Sequence, residues 1–160
     1  MTGVQTCALP ICERTPHLDA AARGGWVGLT ARHARADLIR SLLEGVAYSL
    51  KDCLEIIREL GIQVRAVRAS GGGARSAFWR QMLADIFNAP VATLETQEGS
   101  AYGVALLAMV GTGHFASVQE ACGQAIREVS RLDPDPQNAA AYGRRYPIFG
   151  NLYPALRGRV

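Results

Sequence analysis

The sequence predicts an α/β protein that is rich in helix and has a few parallel strands. Long stretches with apolar residues at helical spacing alternate with two short stretches typical of strands, and three consecutive glycines join the first strand to a helix. The resulting order is helix, strand, turn, helix, strand and three more helices. This order implies one α/β layer in which the two strands pair in parallel.

Composition limits the classes of protein that come into question. The 160 residues are 49% apolar and 19% charged, with a formal net charge of +3, which is ordinary for a globular domain and too small to indicate nucleic acid or an anionic membrane as partner. No apolar run approaches the ~18 residues of a membrane span, and the start lacks the pattern of a secretory signal. We therefore expect a soluble, cytoplasmic protein.

The four cysteines do not indicate a metal site or a disulfide framework. No two of them have CxxC spacing, and no histidine stands at metal-ligand spacing from them. We expect Cys53 and Cys122 to pack as small apolar residues.

The first twelve residues, "MTGVQTCALPIC", stand apart from the rest of the chain. They have no periodicity and resemble translated sequencing adapter joined to a truncated reading frame. We expect them to be a non-native leader and the natural protein to begin near Glu13. The next stretch is rich in Pro, Gly and small residues, which predicts a loop with a short strand around Trp26 to Leu29.

A long amphipathic helix is predicted from about Ala34 to Leu60, because its apolar residues follow the i, i+3, i+4, i+7 spacing of one helical face. Gly61 supplies the left-handed stop. The following "IQVRAVRAS" alternates apolar and polar residues and predicts a strand that leads into the glycines.

Four helices and a strand are predicted after the glycines. The first helix runs from Ser76 to Asn88 and ends at the breaker "NAP", and "VATLE" is the second strand. A helix of small residues, from Ser100 to about Val110, is expected to pack tightly against a neighbour. The third starts at the N-cap Ser117, with Glu120 completing a capping box, and runs to about Glu128. The last begins near Gln137 and is weakened by two prolines and a glycine.

The candidate site is the turn "SGGGARS". A strand that stops at Gly71, Gly72 and Gly73, before a helix that starts near Ser76, leaves backbone N–H groups directed toward the helix N-terminus, which favours an anion. Glycine takes positive φ freely and lets a phosphate approach the backbone closely. Ser76 can cap the helix and offer a hydroxyl.

Two other interpretations of this turn stay open on the residues alone. The glycines can simply reverse the chain in a noncatalytic packing module. They also imitate the G-x-G-x-x-G of a dinucleotide-binding redox module, in which Glu95 would end the second strand, although serine replaces the third glycine and a long helix precedes the strand.

Three separated stretches together resemble the C-terminal domain of the FGGY carbohydrate kinases, most closely that of the bacterial xylulokinases. They are "ERTPHLDAAARGGWVGLTARHARADLIRSLLEG", "ASGGGARSAFWRQMLADIFNAPV" and "EGSAYGVALLA", and the final "LYPAL" is also similar. The likeness covers residues 13–157, which would form the C-terminal part of the nucleotide-binding domain, with the N-terminal sugar-binding domain absent.

The resemblance implies an actin-like, ribonuclease H-like kinase that transfers the γ-phosphate of ATP to D-xylulose, giving D-xylulose 5-phosphate. It implies that Gly72, Gly73 and Ser76 contact the nucleotide and that Gly71 shapes the turn. Magnesium would be held mainly by the absent part, a homodimer stays open, and this part would be inactive alone. In the family, the catalytic aspartate precedes this region.

No catalytic residue is therefore assigned in this chain. None of the six aspartates considered has the sequence context of the family's catalytic base, and local structural roles are expected for them: Asp19, Asp37, Asp52, Asp85, Asp133 and Asp135. The histidines form no constellation with a nucleophile. Trp79 is expected to be a core residue rather than a platform for adenine.

Overall fold

The computed structural model describes the backbone of residues 5–7 and the whole of residues 15–96 and 99–158. Along the chain the elements are β1 (Gln5–Cys7), β2 (Gly25–Val27), α1 (Arg35–Glu59), β3 (Val67–Ala69), a 3₁₀ turn (Gly72–Arg75), α2 (Ala77–Phe87), β4 (Val91–Leu94), α3 (Gly99–Gly111), α4 (Val118–Ala125), β5 (Glu128–Leu132), α5 (Pro136–Gly150) and α6 (Leu152–Leu156). None of the helices in these ranges is both long enough and apolar enough to cross a membrane.

The parallel pair predicted from the sequence is confirmed. Strands β3 and β4 pair in parallel, with Val67 opposite Val91 and Ala69 opposite Thr93, and α2 makes the connection between them. The third strand of this sheet, β5, pairs antiparallel with β4, so the order is β3-β4-β5. Strand β5 was not predicted from the sequence, and the preceding helix ends at Ala125 rather than near Glu128.

The first strands form a separate antiparallel ribbon. Strand β2 covers Gly25–Val27, close to the short strand expected there, and pairs with β1, which lies inside the twelve-residue leader. The rest of the leader lies outside the described residues. That the leader is non-native stays a prediction.

The long helix α1 begins and ends where its sequence indicates. At its start, Asp37 Oδ2 accepts a hydrogen bond from the Ala34 amide at 2.8 Å. At its end, Gly61 adopts φ +81°, and the Ile62 amide reaches back to the Ile57 carbonyl at 3.3 Å. Helix α2 is capped by Ser76 and ends at Asn88, whose φ of 48° is left-handed.

The core lies where α1, α2 and α5 meet above the sheet. Its largest fully buried side chains include Tyr48, Tyr142 and Ile86. The Tyr142 hydroxyl accepts from Arg40 Nη2 at 3.0 Å and donates to the buried Glu44 Oε1 at 2.9 Å, so α5 is tied to α1 by a polar network. Burial raises the pKa of Tyr142 to about 12.

Helix α3 corrects one expectation. Its small residues were expected to pack tightly against a neighbour, but only Leu106 is buried, while Val104 and Leu107 are 67% and 58% exposed. Its tie to α4 is a hydrogen bond from the Tyr102 hydroxyl to the Ala125 carbonyl at 2.8 Å. The face of α3 is therefore mostly open among the described residues.

Candidate functional site

The glycine turn lies at the carboxyl end of the parallel pair, between β3 and α2. Gly71 has φ +80° and ψ −173°, a conformation that side chains rarely adopt, so glycine is required there. Hydrogen bonds from the Ala74 amide to the Gly71 carbonyl and from the Ser76 amide to the Gly73 carbonyl, both 3.1 Å, close the turn. The carboxyl ends of strands in open α/β sheets are where ligands bind most often.

The amides of Gly72 and Gly73 are the donors that this turn leaves available. Neither donates to another group within the described ranges, whereas the amides of Ala74 and Ser76 are used inside the turn. A Cβ built on Gly72 would meet nothing within 4 Å, so the space above this residue is open. Two free amides beside the positive end of α2 are suited to a negatively charged ligand.

Ser76 takes the capping role expected from the sequence. Its Oγ accepts a hydrogen bond from the Trp79 amide at 3.3 Å. A hydroxyl that accepts in this way keeps its own hydrogen for a second partner. Ser76 can therefore cap α2 and donate to a ligand at the same time.

A polar cleft of about 260 Å³ opens on one side of the turn. It lies at the carboxyl ends of β3 and β4, where Ser70 and Thr93 contribute hydroxyls and Arg75 and Arg80 contribute guanidinium groups. The exposed Glu95 lines the same cleft, and its backbone amide donates to the Arg127 carbonyl at 3.0 Å.

Arg80 is the residue of this cleft that sequence reasoning missed. Its Nη1 donates to Thr93 Oγ1 at 3.2 Å, while its buried Nε has no hydrogen-bond partner among the described residues. On a helical pattern Arg80 looks like one more solvated charge. The available signal was its position four residues after Ser76, which places both on one face of α2.

An apolar groove of about 340 Å³ opens on the other side of the turn. Its lining includes Leu50 and Ile57 of α1, Leu83 of α2, and Trp79. A Cβ on Gly73 would lie 3.4 Å from the Trp79 indole, so the turn rests directly on this ring. Trp79 is half-buried against the core, in agreement with the core role expected for it.

The six aspartates set aside as catalytic candidates all have local or packing partners. Asp85 is buried and accepts from the Asp135 amide at 2.8 Å, and Asp135 in turn caps α5. Asp19 accepts from the Tyr153 hydroxyl at 2.6 Å, and this hydrogen bond holds the pKa of the Asp19 carboxyl below its usual value. The partners of the other three are Ala34 for Asp37, Tyr146 for Asp52 and Arg131 for Asp133.

The histidines lie in unrelated surroundings. His17 stacks on Tyr153 with 3.8 Å between ring centroids, His33 Nδ1 accepts from the Thr30 amide at 2.9 Å, and His114 lies edge-on to its neighbour Phe115. Within the described ranges, no group of three or more His, Cys, Asp or Glu residues lies close enough together to hold a metal ion.

The sequence of this chain matches a family of known proteins. The profile described as "FGGY family of carbohydrate kinases, C-terminal domain" matches residues 10–112. Xylulose kinase from Bacillus subtilis is 41% identical over 141 residues, 88% of this chain and 28% of the relative. Gluconokinase from the same organism is 37% identical over 88% of this chain and 27% of its own length.

A solved structure gives the same result for the fold. The ligand-bound xylulose kinase from Lactobacillus acidophilus superposes with a TM-score of 0.91 at 30% identity, covering 98% of this chain and 32% of that one. The actin-like α/β fold class expected from the resemblance is therefore confirmed. The dinucleotide-binding alternative gains no support from these matches.

Proposed function

The chain belongs to the FGGY family of carbohydrate kinases, and from this premise we propose that it supplies half of the nucleotide site of a sugar kinase. It spans about 28% of the length of the curated relatives that it matches. On this proposal, the longer natural protein transfers the γ-phosphate of ATP to D-xylulose and gives D-xylulose 5-phosphate. The sugar-binding domain and the catalytic base would lie outside these residues.

The observation that carries the proposal is the free pair of amides at the glycine turn. Gly72 and Gly73 present N–H groups with open space above Gly72, next to a polar cleft and the N-terminus of α2. Fixed backbone dipoles of this kind bind phosphate without reorganising when the ligand arrives. We assign Gly72, Gly73 and Ser76 to nucleotide contact and Gly71 to shaping the turn.

Phosphoryl transfer needs positioning and charge stabilisation more than covalent chemistry from the protein. The turn would hold ATP, the phosphoryl donor, through its backbone amides, and the Ser76 hydroxyl can donate a further hydrogen bond to it. Magnesium would screen the phosphate charges when bound. No ligand for it is assigned here, because the residues of the described ranges offer no suitable cluster.

Xylulose is the sugar that the comparisons favour, although a gluconokinase is among the relatives. The test is an ADP-release assay with ATP and magnesium on the natural protein that contains this sequence, with D-xylulose, gluconate and glycerol as acceptors. We expect turnover with D-xylulose. Turnover with gluconate or glycerol but not with D-xylulose would overturn the sugar assignment and leave the kinase assignment in place.

Gly72→Val tests the nucleotide contact in the same protein. The structure has open space at this position, so the added side chain should block a ligand without disturbing the fold. We expect calorimetry to show a loss of about tenfold or more in ADP affinity, with the unfolding midpoint within a few degrees of the parent. An unchanged ADP affinity would favour the packing-module interpretation, in which nothing has to approach the glycines.

The remaining expectations for the whole protein are also proposals. We place it in the cytoplasm, with ATP and a small sugar as its partners. A measurement of its oligomeric state would test whether it forms a homodimer. Residues 13–157 would be the C-terminal part of its nucleotide-binding domain.

A further inference from the structure

Arg80 is a charged residue of the polar cleft that has no ion-pair partner among the described residues. Its guanidinium lines the polar cleft and has only a neutral partner, Thr93 Oγ1 at 3.2 Å, and no carboxylate of the described residues forms an ion pair with it. Its Nε–H is buried and has no acceptor there. A partly buried charge is normally paired, and a buried donor without a partner normally marks a missing ligand, ion or water.

The position of Arg80 indicates what the missing partner is. Thr93 is the penultimate residue of β4, so its hydroxyl holds the guanidinium at the carboxyl edge of the sheet, in the cleft that Gly71 and Ser70 also line. A guanidinium binds planar or tetrahedral oxyanions through paired N–H groups and stays charged at any physiological pH. Glu95, which lines the same cleft, is exposed and is screened by solvent.

We propose that Arg80 binds an oxyanion in the polar cleft, and that this oxyanion is a phosphate group of the nucleotide held by the glycine turn. This inference rests on the proposed function and assigns a specific residue to the phosphate end of the ligand. Thr93 is a positioning residue, because it acts through Arg80.

The experiment compares ADP with adenosine, which lacks phosphate, by calorimetry on the natural protein that contains this sequence. Arg80→Gln removes the charge, and Arg80→Lys keeps it without the forked N–H groups. Arg131→Gln is the matched control, because Arg131 is an arginine of the adjacent β5 that pairs with Asp133 and does not line the cleft.

We expect Arg80→Gln to weaken ADP binding about tenfold or more while adenosine affinity changes less than about twofold, since only the charged hydrogen bonds to phosphate are lost. Arg80→Lys should lose less than Arg80→Gln, and Arg131→Gln should change neither affinity. Preserved adenosine binding shows in the same titration that the variant is folded. Equal losses for both ligands, or no loss for either, would overturn the inference.

Inorganic phosphate distinguishes the two sources of the oxyanion. Competition of phosphate with ADP in the parent supports a nucleotide phosphate. Binding of phosphate that depends on Arg80 but persists under saturating ADP would place a separate anion there and overturn the assignment.

If neither ADP nor adenosine binds the parent, the proposed function fails and this inference fails with it. If binding is blocked by Gly72→Val but indifferent to Arg80→Gln, only the inference fails.

Discussion

Gly71 and Gly72 are neighbours in the chain, yet the structure uses them differently. Gly71 is at φ +80°, where any side chain is strained, whereas Gly72 has an ordinary backbone and open space around it. We expect Gly71→Ala to lower the free energy of unfolding by about 1–3 kcal/mol, because a residue with a Cβ is strained at this combination of φ and ψ. Urea denaturation of the natural protein measures the change.

Gly72→Ala is the control for this substitution. It adds the same methyl group one residue later, without positive φ, and should change the free energy of unfolding by less than about 0.5 kcal/mol. Equal losses in the two variants would contradict the assignment of backbone strain to Gly71.

Tyr142 gives a residue-scale prediction that depends on pH. Its folded pKa is raised to about 12 by burial, against an ordinary value near 10. The folded state therefore keeps the hydroxyl proton in a range where the unfolded chain loses it. The free energy of unfolding should fall as the pH rises from about 10 toward 12.

Tyr142→Phe separates this contribution from those of other groups. It removes the hydroxyl that links Arg40 and Glu44, which should cost about 1–3 kcal/mol at pH 7. The difference between parent and variant should shrink as the pH rises through the range above, measured by urea denaturation at several pH values. A constant difference would show that Tyr142 does not titrate as its burial indicates.

At the scale of single residues, the sequence predicted roles that follow from local backbone geometry. The positive φ of Gly61 and Gly71 and the cap at Ser76 all belong to this class. It could not predict that Arg80 forms no ion pair among the described residues or that Glu44 is buried, because both depend on which helix or strand packs opposite them. Periodicity alone assigns such charges to solvent.

At the scale of elements, the contact between α2 and α5 depends on one buried carboxylate. Asp85 is 3% exposed, and its Oδ1 accepts from the Asp135 amide and from Gln81 Nε2, both at 2.8 Å, while its Oδ2 accepts from Asn138 Nδ2 at 3.1 Å. The start of α5 is thereby held against the side of α2. A structural role for Asp85 was expected from the sequence, but its partner fifty residues away was not.

We expect Asp85→Asn to lower the free energy of unfolding by about 2–3 kcal/mol, because the amide replaces charged hydrogen bonds and turns one acceptor into a donor facing other donors. Asp133→Asn is the control, since its side chain is 74% exposed and its ion pair with Arg131 should contribute less than about 0.5 kcal/mol. Thermal unfolding of the two variants compares them. Similar losses would contradict the assigned role.

Strand β5 shows where pattern reading fails at this scale. "EVSRL" contains two charges in five residues and lies between two helical patterns, so its alternation is easily taken for the end of a helix. What makes it a strand is pairing with β4, as Ala92 lies opposite Arg131 and Thr93 opposite Ser130. The parallel pair was predictable because β3, α2 and β4 follow one another along the chain as a βαβ unit.

At the scale of the whole molecule, the apolar groove leaves large side chains open to solvent. Leu50 and Ile57 on its rim are 46% and 39% exposed, and β3 has a pairing partner on one side only among the described residues. An open strand edge beside an apolar surface promotes association. We expect the 160-residue chain, when expressed alone, to self-associate at micromolar concentration in analytical ultracentrifugation.

Charged side chains introduced on the rim of the apolar groove should prevent this self-association. Leu50→Glu with Ile57→Lys should raise the monomer fraction, whereas Ile148→Lys should not, because Ile148 is 55% exposed on α5 and does not line the groove. A parent chain that stays monomeric throughout the concentration range would contradict the prediction.

The glycine turn separates the polar cleft from the apolar groove, and residues of the turn line both. A shift of the turn toward one of these cavities reduces the volume of that cavity and enlarges the other. A substitution that displaces this segment should therefore change the binding of charged and of aromatic probes in opposite directions, whereas one that melts the segment should weaken both. The sign of that pair of responses distinguishes a relocated backbone from an unfolded one.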